Sequence, residues 1–226
     1  MTPPATIWTL PNVLTITRIG LTPVIALVPF IEGYLPKLIA FVVFLIAAAS
    51  DIYDGRLARE RDQITDLGKL LDPLADKLLL IAALIPIYVI STSMSQYEIP
   101  WWGNVPLVVL ILLLGRELLM TLFRQFAKRR GVVIEALGPG KLKTIMQDIF
   151  LGAMIGWFAW KDMSEHFGWR TGWLGALWER FHGTLVAVTL AIAVILTVYS
   201  LVIYVYRYRG LLSGVNPASS GSGHGR

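Results

Sequence analysis

Residues 50–77 read SDIYDGRLARERDQITDLGKLLDPLADK, a charge-dense island between two apolar blocks. Leu38–Ser50 before it and Leu78–Tyr97 after it contain no Asp, Glu, Lys or Arg. The island therefore reads as the turn of a helical hairpin whose arms are apolar. At about 100° per residue, Asp51, Asp54, Gly55 and Ala58 fall in one narrow stripe of the first arm. The same arithmetic lines up Gly68, Asp72 and Asp76 on the second. Two antiparallel helices joined by a short loop can turn these stripes toward each other. Pro73 fits if it opens the second helix, and otherwise kinks it.

Outside the hairpin, the composition points the same way. The 226 residues are 55% hydrophobic and 15% charged, with a mean hydropathy of +0.63. An average soluble chain is about 25% charged. A disordered chain is excluded, and so is a disulfide scaffold or a thiolate site, since there is no cysteine. The expected class is an all-α polytopic membrane protein. The pattern predicts six transmembrane helices, at 11–33, 37–60, 68–92, 103–130, 141–162 and 183–208. Ile99–Gly115 and Phe181–Tyr206 are further charge-free stretches, and about 20 apolar residues suffice to cross the hydrocarbon core. Thr9-Leu10-Pro11-Asn12 reads as a turn into the first helix. Met1–Thr17 holds no basic residue, so no cleavable signal is expected. Residues 1–210 form one membrane domain in this reading. Residues 211–226 form a tail, flexible where Ala218–Arg226 is rich in Ser and Gly.

An even number of spans puts both termini on one side. All but four of the 20 Lys and Arg fall on that side, the exceptions being Lys37, Lys161, Arg170 and Arg180. The positive-inside rule makes it the cytoplasmic side, with the acids of the hairpin at its boundary. Trp101, Trp102, Trp157, Trp160, Trp169, Trp173 and Trp178 gather toward the opposite side as an aromatic belt. The net charge of +5 is thereby assigned to membrane topology and anionic lipid, and nucleic acid is not an expected partner.

Asp51, Asp54, Asp72 and Asp76 in one low-dielectric cleft cannot all stay ionised without cations. Either some are protonated or divalent metal neutralises them. All-oxygen ligands favour hard ions, Mg²⁺ or Mn²⁺, and two ions would balance the four charges. Gly55, Ala58 and Gly68 then leave room for a bulky ligand, and Arg59 and Lys69 could pair with phosphate. Glu60, Arg61, Asp62 and Asp66 read as solvated loop charges. His166, His182 and His224 fall on loops, ends or the tail and read as surface residues.

The stretch resembles the CDP-alcohol phosphotransferase signature, D-x2-D-G-x2-A-R-x8-G-x3-D-x3-D. Asp51, Asp54, Gly55, Ala58, Arg59, Gly68, Asp72 and Asp76 occupy every fixed position. The resemblance implies a six-span enzyme, usually a homodimer, that displaces CMP from a CDP-linked donor with an alcohol. It implies that Asp51, Asp54, Asp72 and Asp76 ligate two divalent ions. Asp76 would also serve as base for the acceptor hydroxyl, and Gly55, Ala58, Arg59 and Gly68 would form the nucleotide pocket.

The acceptor is addressed by a second basic group. Arg116 and Glu117 interrupt an apolar span, and Lys141 and Lys143 open the next one after Gly138-Pro139-Gly140. Cations converging from two helices suit an acceptor that carries phosphate, whereas Arg124, Lys128, Arg129 and Arg130 read as topology alone. The segments 11–18 (PNVLTITR), 115–117 (GRE) and 140–144 (GKLKT) resemble the phosphatidylglycerophosphate synthase branch of the family. That resemblance implies transfer of a phosphatidyl group from CDP-diacylglycerol to sn-glycerol 3-phosphate. Arg116, Lys141 and Lys143, with Arg18, would be the acceptor-phosphate ligands, and a bacterial-type inner (cytoplasmic) membrane the location. The rivals are a relative using an inositol phosphate or a phosphatidyl acceptor, as cardiolipin synthase does, and, outside the class, a cation transporter or an inert scaffold. No internal repeat supports transport.

Overall fold

A computed structural model describes residues 9–60, 65–99, 102–130, 138–169 and 172–207. Among these residues there are six long helices and no strand beyond one isolated bridge, Ile99 to Gly103. The helices are α1 (Leu10–Leu27), α2 (Tyr34–Glu60), α3 (Asp66–Ser93), α4 (Leu107–Arg129), α5 (Gly138–His166) and α6 (Trp173–Arg207). Short 3₁₀ turns, Val28–Phe30 and Ser95–Tyr97, follow α1 and α3. Four stretches are long and apolar enough to cross a membrane: Leu10–Phe30, Tyr34–Asp51, Leu70–Ser93 and Trp173–Tyr206. The outward faces stay apolar, with Ile46 at 55% exposure and Ile195 at 65%. A water-soluble bundle would place polar residues there.

The contacts give each helix its direction. Phe44 packs against Gly152, Phe41 against Gly156, and Lys37 pairs with Asp162, so α2 and α5 run antiparallel. A Cβ at Gly156 would lie 3.0 Å from the Phe41 ring, so the small residue is what allows this approach. α5 and α6 form an antiparallel hairpin closed by Trp160 on Trp178 and Lys161 with Glu179. Phe44, Leu84, Ile87, Phe150, Met154 and Leu190 meet in the dry centre.

Several boundaries differ from those expected. α6 begins at Trp173 rather than 183, because Glu179 and Trp178 continue the α5 pairing beyond the apolar run. α4 starts at Leu107 rather than 103, after Gly103 at φ +71° and the Pro106 cap. Pro73 lies inside α3, not in its opening turn, so one backbone hydrogen bond is missing two turns into the helix. His182 is not a surface residue: it lies within α6, its ring stacks on Trp157 at 5.4 Å, and its Nε2 donates to the Ala153 carbonyl at 2.8 Å.

At the end of the bundle away from the hairpin of residues 50–77, a polar lock ties α2 and α5 to the turn after α3. Buried Lys37 donates to Asp162 Oδ2 at 2.7 Å, and the Tyr97 hydroxyl donates to the other Asp162 oxygen. Burial, and then that hydrogen bond, push the Tyr97 hydroxyl well above its ordinary range, so it remains a donor. Asp162→Ala leaves Lys37 without its charge partner and should destabilise the fold by about 3–5 kcal/mol. Lys37→Met combined with Asp162→Leu should cost clearly less. Thermal unfolding in detergent checks both, and an unchanged midpoint for Asp162→Ala would refute the lock.

Candidate active site

An apolar helix that carries polar residues at a three-residue spacing must match them on one side. In α1 these are Asn12, Thr15 and Arg18, with exposures of 1%, 0% and 1%. All three face α3. The Thr15 hydroxyl donates to Asp72 Oδ1 at 2.8 Å and also lies 3.1 Å from the Pro11 carbonyl. Arg18 Nη1 donates to Asp76 Oδ1 at 3.1 Å and to Asp51 Oδ1 of α2 at 2.6 Å. Asn12 sits over Gly68, where an added Cβ would meet its Oδ1 at 2.8 Å. The pairs 12–68, 15–72 and 18–76 advance together, so α1 and α3 run parallel.

The start of α3 is fixed by its own cap. The Thr65 side chain accepts from the Gly68 amide at 3.0 Å and donates to Asn12 Oδ1 at 2.9 Å. Helix initiation and the docking of α1 thus share one hydroxyl. The space beside Gly68, expected to be left for ligand, is filled on this side by Asn12 and Thr65.

Asp51, Asp72 and Asp76 are brought together: Asp76 feels the charge of both others. The side chains of Asp51 and Asp76 are 47% and 57% exposed, whereas that of Arg18 is fully covered. A buried guanidinium therefore forms the floor beneath acids that open outward. Arg18, expected with the acceptor cations, lies instead against these carboxylates, because α1 docks on α2 and α3. Among the described residues no three acids or histidines form a ready-made ion cage. The donor set still fits a hard divalent ion: it is all carboxylate oxygen, and three acids exceed the single charge of Arg18. The backbone of Asp54, Gly55, Ala58 and Arg59 belongs to α2, that of Lys69 to α3 and that of Lys141 to α5. Their side chains lie outside the described ones, as do Arg61, Asp62 and the tail from 208.

A second charged group joins α4 to α5. Arg116 Nη1 donates to Glu117 Oε1 at 2.8 Å, and Lys143 Nζ donates to the same oxygen at 2.5 Å. Lys143 is wholly buried and Arg116 is 7% exposed. Asp148 on α5 lies within electrostatic reach of Asp51 and Arg18 and of Lys143 and Glu117, and so of both charged groups. The sequence reading did not single out Asn12, Thr15 or Asp148. The polar spacing within the first apolar span, and an acid five residues beyond Lys143, were the available signals.

A model of the CDP-alcohol phosphatidyltransferase family matches residues 8–202. The chain belongs to this family. Among the CDP-alcohol phosphatidyltransferases similar to it is the "Probable phosphatidylglycerophosphate synthase" of Mycobacterium tuberculosis. That protein is 36% identical over 154 residues, covering 67% of this chain and 68% of the relative. The "CDP-diacylglycerol--glycerol-3-phosphate 3-phosphatidyltransferase" of Bacillus subtilis is 36% identical over 159 residues, covering 65% and 76%. A "Cardiolipin synthase (CMP-forming)" of Oryza sativa is 35% identical over 150 residues, covering 64% of this chain but 45% of the relative.

The Gly68 contact can be tested within this family frame. Gly68→Ala must displace buried Asn12 and strain the Thr65 cap, at a cost of about 1–3 kcal/mol. Because α1 carries Arg18 to the acids, transferase activity should fall together with the thermal midpoint. Asn12→Ala in the same chain should recover part of both. A Gly68→Ala protein with wild-type midpoint and activity would show that α1 is not held there.

Proposed function

We propose that this chain transfers a phosphatidyl group from CDP-diacylglycerol to sn-glycerol 3-phosphate, releasing CMP. The observation that carries the reading is a carboxylate group, Asp51, Asp72 and Asp76, together with the buried cations Arg116 and Lys143, with Asp148 within electrostatic reach of both groups. The names of the Mycobacterium and Bacillus relatives agree with it. The Oryza relative keeps a cardiolipin synthase reading in view, although it aligns over less than half its own length.

The chemistry follows from the charges. The acceptor hydroxyl attacks the β-phosphorus of the donor, the bond from that phosphorus to the bridging oxygen breaks, and CMP departs. Asp51, Asp54, Asp72 and Asp76 would hold Mg²⁺ or Mn²⁺, in two ions, and the bound metal supplies charge neutralisation at the pyrophosphate. Asp76 accepts the proton of the attacking hydroxyl, since an alcohol is a weak nucleophile near neutral pH. Arg18, hydrogen-bonded to Asp76 and Asp51, holds both carboxylates in place. Gly55, Ala58, Arg59 and Gly68 border the nucleotide, and Arg116, Lys141 and Lys143 hold the acceptor phosphate.

The same reading places all six helices across a bacterial-type inner membrane, with both termini and the cleft on the cytoplasmic side and a homodimer as the assembly. Four helices meet the length and apolarity for crossing, and the charges of α4 and α5 are matched against each other rather than against lipid. The diacylglycerol tails can then remain in the bilayer while the CDP head enters the cleft.

Purified protein supplied with labelled CDP-diacylglycerol should release CMP with glycerol 3-phosphate, stop in chelator, and recover with Mg²⁺ or Mn²⁺. Asp72→Asn and Asp76→Asn should each lose about 10²–10⁴-fold in kcat while remaining folded. Full activity in either variant removes the assignment. Product analysis over glycerol 3-phosphate, inositol phosphate and phosphatidylglycerol separates the family rivals, and no transfer to any of them would favour a transporter or scaffold.

A further inference from the structure

We propose that Glu117 is a positioning residue for the acceptor phosphate: its carboxylate gathers the buried cations of two helices, Arg116 and Lys143, into a preformed clamp. The inference rests on the function proposed above and assigns a role to a residue outside the signature.

Two cations buried side by side repel and are costly to desolvate. Lys143 is wholly buried and Arg116 nearly so, on different helices. One oxygen, Glu117 Oε1, accepts from both. The two cationic nitrogens therefore lie closer than the two hydrogen bonds laid end to end. Without the acid they would separate or draw in water. With it, the group keeps one net positive charge and a fixed geometry before any ligand arrives.

The clamp is also incomplete. Arg116 spends Nη1 on Glu117, whereas its buried Nε has no hydrogen-bond partner among the described residues. A buried donor left unmatched costs free energy, and a guanidinium edge suits a phosphate oxygen. Glu117 itself is 27% exposed, so the group is not sealed in the dry core. A plain structural counter-ion would explain the two bonds to Glu117, but not the unmatched Arg116 Nε beside them.

The test is a kinetic split. Glu117→Gln should raise KM for glycerol 3-phosphate about 10–100-fold, the loss expected for a charge-assisted contact. Its kcat and its KM for CDP-diacylglycerol should stay within about twofold of wild type. Glu117→Asp keeps the charge and shortens the reach. It should show the same split at smaller amplitude, and it serves where the Gln variant does not fold. In a Lys143→Met chain, Glu117→Gln should cost far less than it does alone, because the residue acts through that lysine. Equal loss toward donor and acceptor, an unchanged acceptor KM, or additive losses in the double variant would each overturn the proposal. No transfer by the wild-type protein would overturn the functional reading and this inference with it. Wild-type transfer with an unaffected Glu117→Gln would overturn this inference alone.

Discussion

A guanidinium taken out of water must be matched where it sits. Arg18 is buried on α1, and its Nη1 is met by Asp51 of α2 and Asp76 of α3. Desolvating an ion costs several kcal/mol even after relaxation, so sliding α1 by one turn would strand that charge. The constraint sets the register of three helices at once. With Arg18 fixed, Thr15 comes to Asp72 and Asn12 to Gly68, each one turn further toward the hairpin loop. The docking of α1 and the gathering of the acids are therefore one event. Any change that shifts α1 also moves the carboxylates.

The two ends of the bundle handle buried charge differently. At the far end, Lys37 is matched by Asp162 and lies near the carbonyls of Ile31 and Gly33, while the second Asp162 oxygen takes the Tyr97 hydroxyl. Both Asp162 oxygens are used in holding α2, α5 and the turn after α3, beside a cavity of about 420 Å³ that Lys37, Tyr97 and Asp162 help to line. At the near end, Asp51 and Asp76 use one oxygen each on Arg18 and leave about half of each side chain open. Excess acid with open lone pairs is unfavourable for stability alone. It is useful where a cation and its anionic ligand are to be bound.

The six helices were legible because apolar runs and charge islands alternate plainly along the chain. The approach of Asp51 to Asp72 and Asp76 was legible because helical spacing lines up Gly68, Asp72 and Asp76 and a hairpin brings that stripe back to Asp51; the side chain of Asp54 lies outside the described ones. What the pattern could not supply was pairing between distant segments. Arg18 reads as a further acceptor-phosphate cation along the chain, and only the docking of α1 makes the acids its partners. The start of α6 was misplaced because Glu179 and Arg180 look like loop charges. The Lys161 partner that makes a helix there lies on α5. Glu117 looked like a local mate for Arg116, and nothing in a one-dimensional pattern says that Lys143 also reaches it.

The charge count within the cleft bears on the order of events. Among the described side chains, Asp51, Asp72, Asp76, Asp148 and Glu117 face Arg18, Arg116 and Lys143. With every acid ionised, negative charge is in excess. That excess lies at the α2–α3 end, where three acids face Arg18, while at the α4–α5 end Arg116 and Lys143 balance Glu117 and Asp148. In the proposed function a pyrophosphate approaching the acids alone would be repelled, so the donor head would settle there together with cations. A phosphate monoester approaching Arg116 and Lys143 meets no such barrier. Asp148 lies within electrostatic reach of both ends, so in the proposed function an anion at one end and cations at the other would each alter the field that it feels.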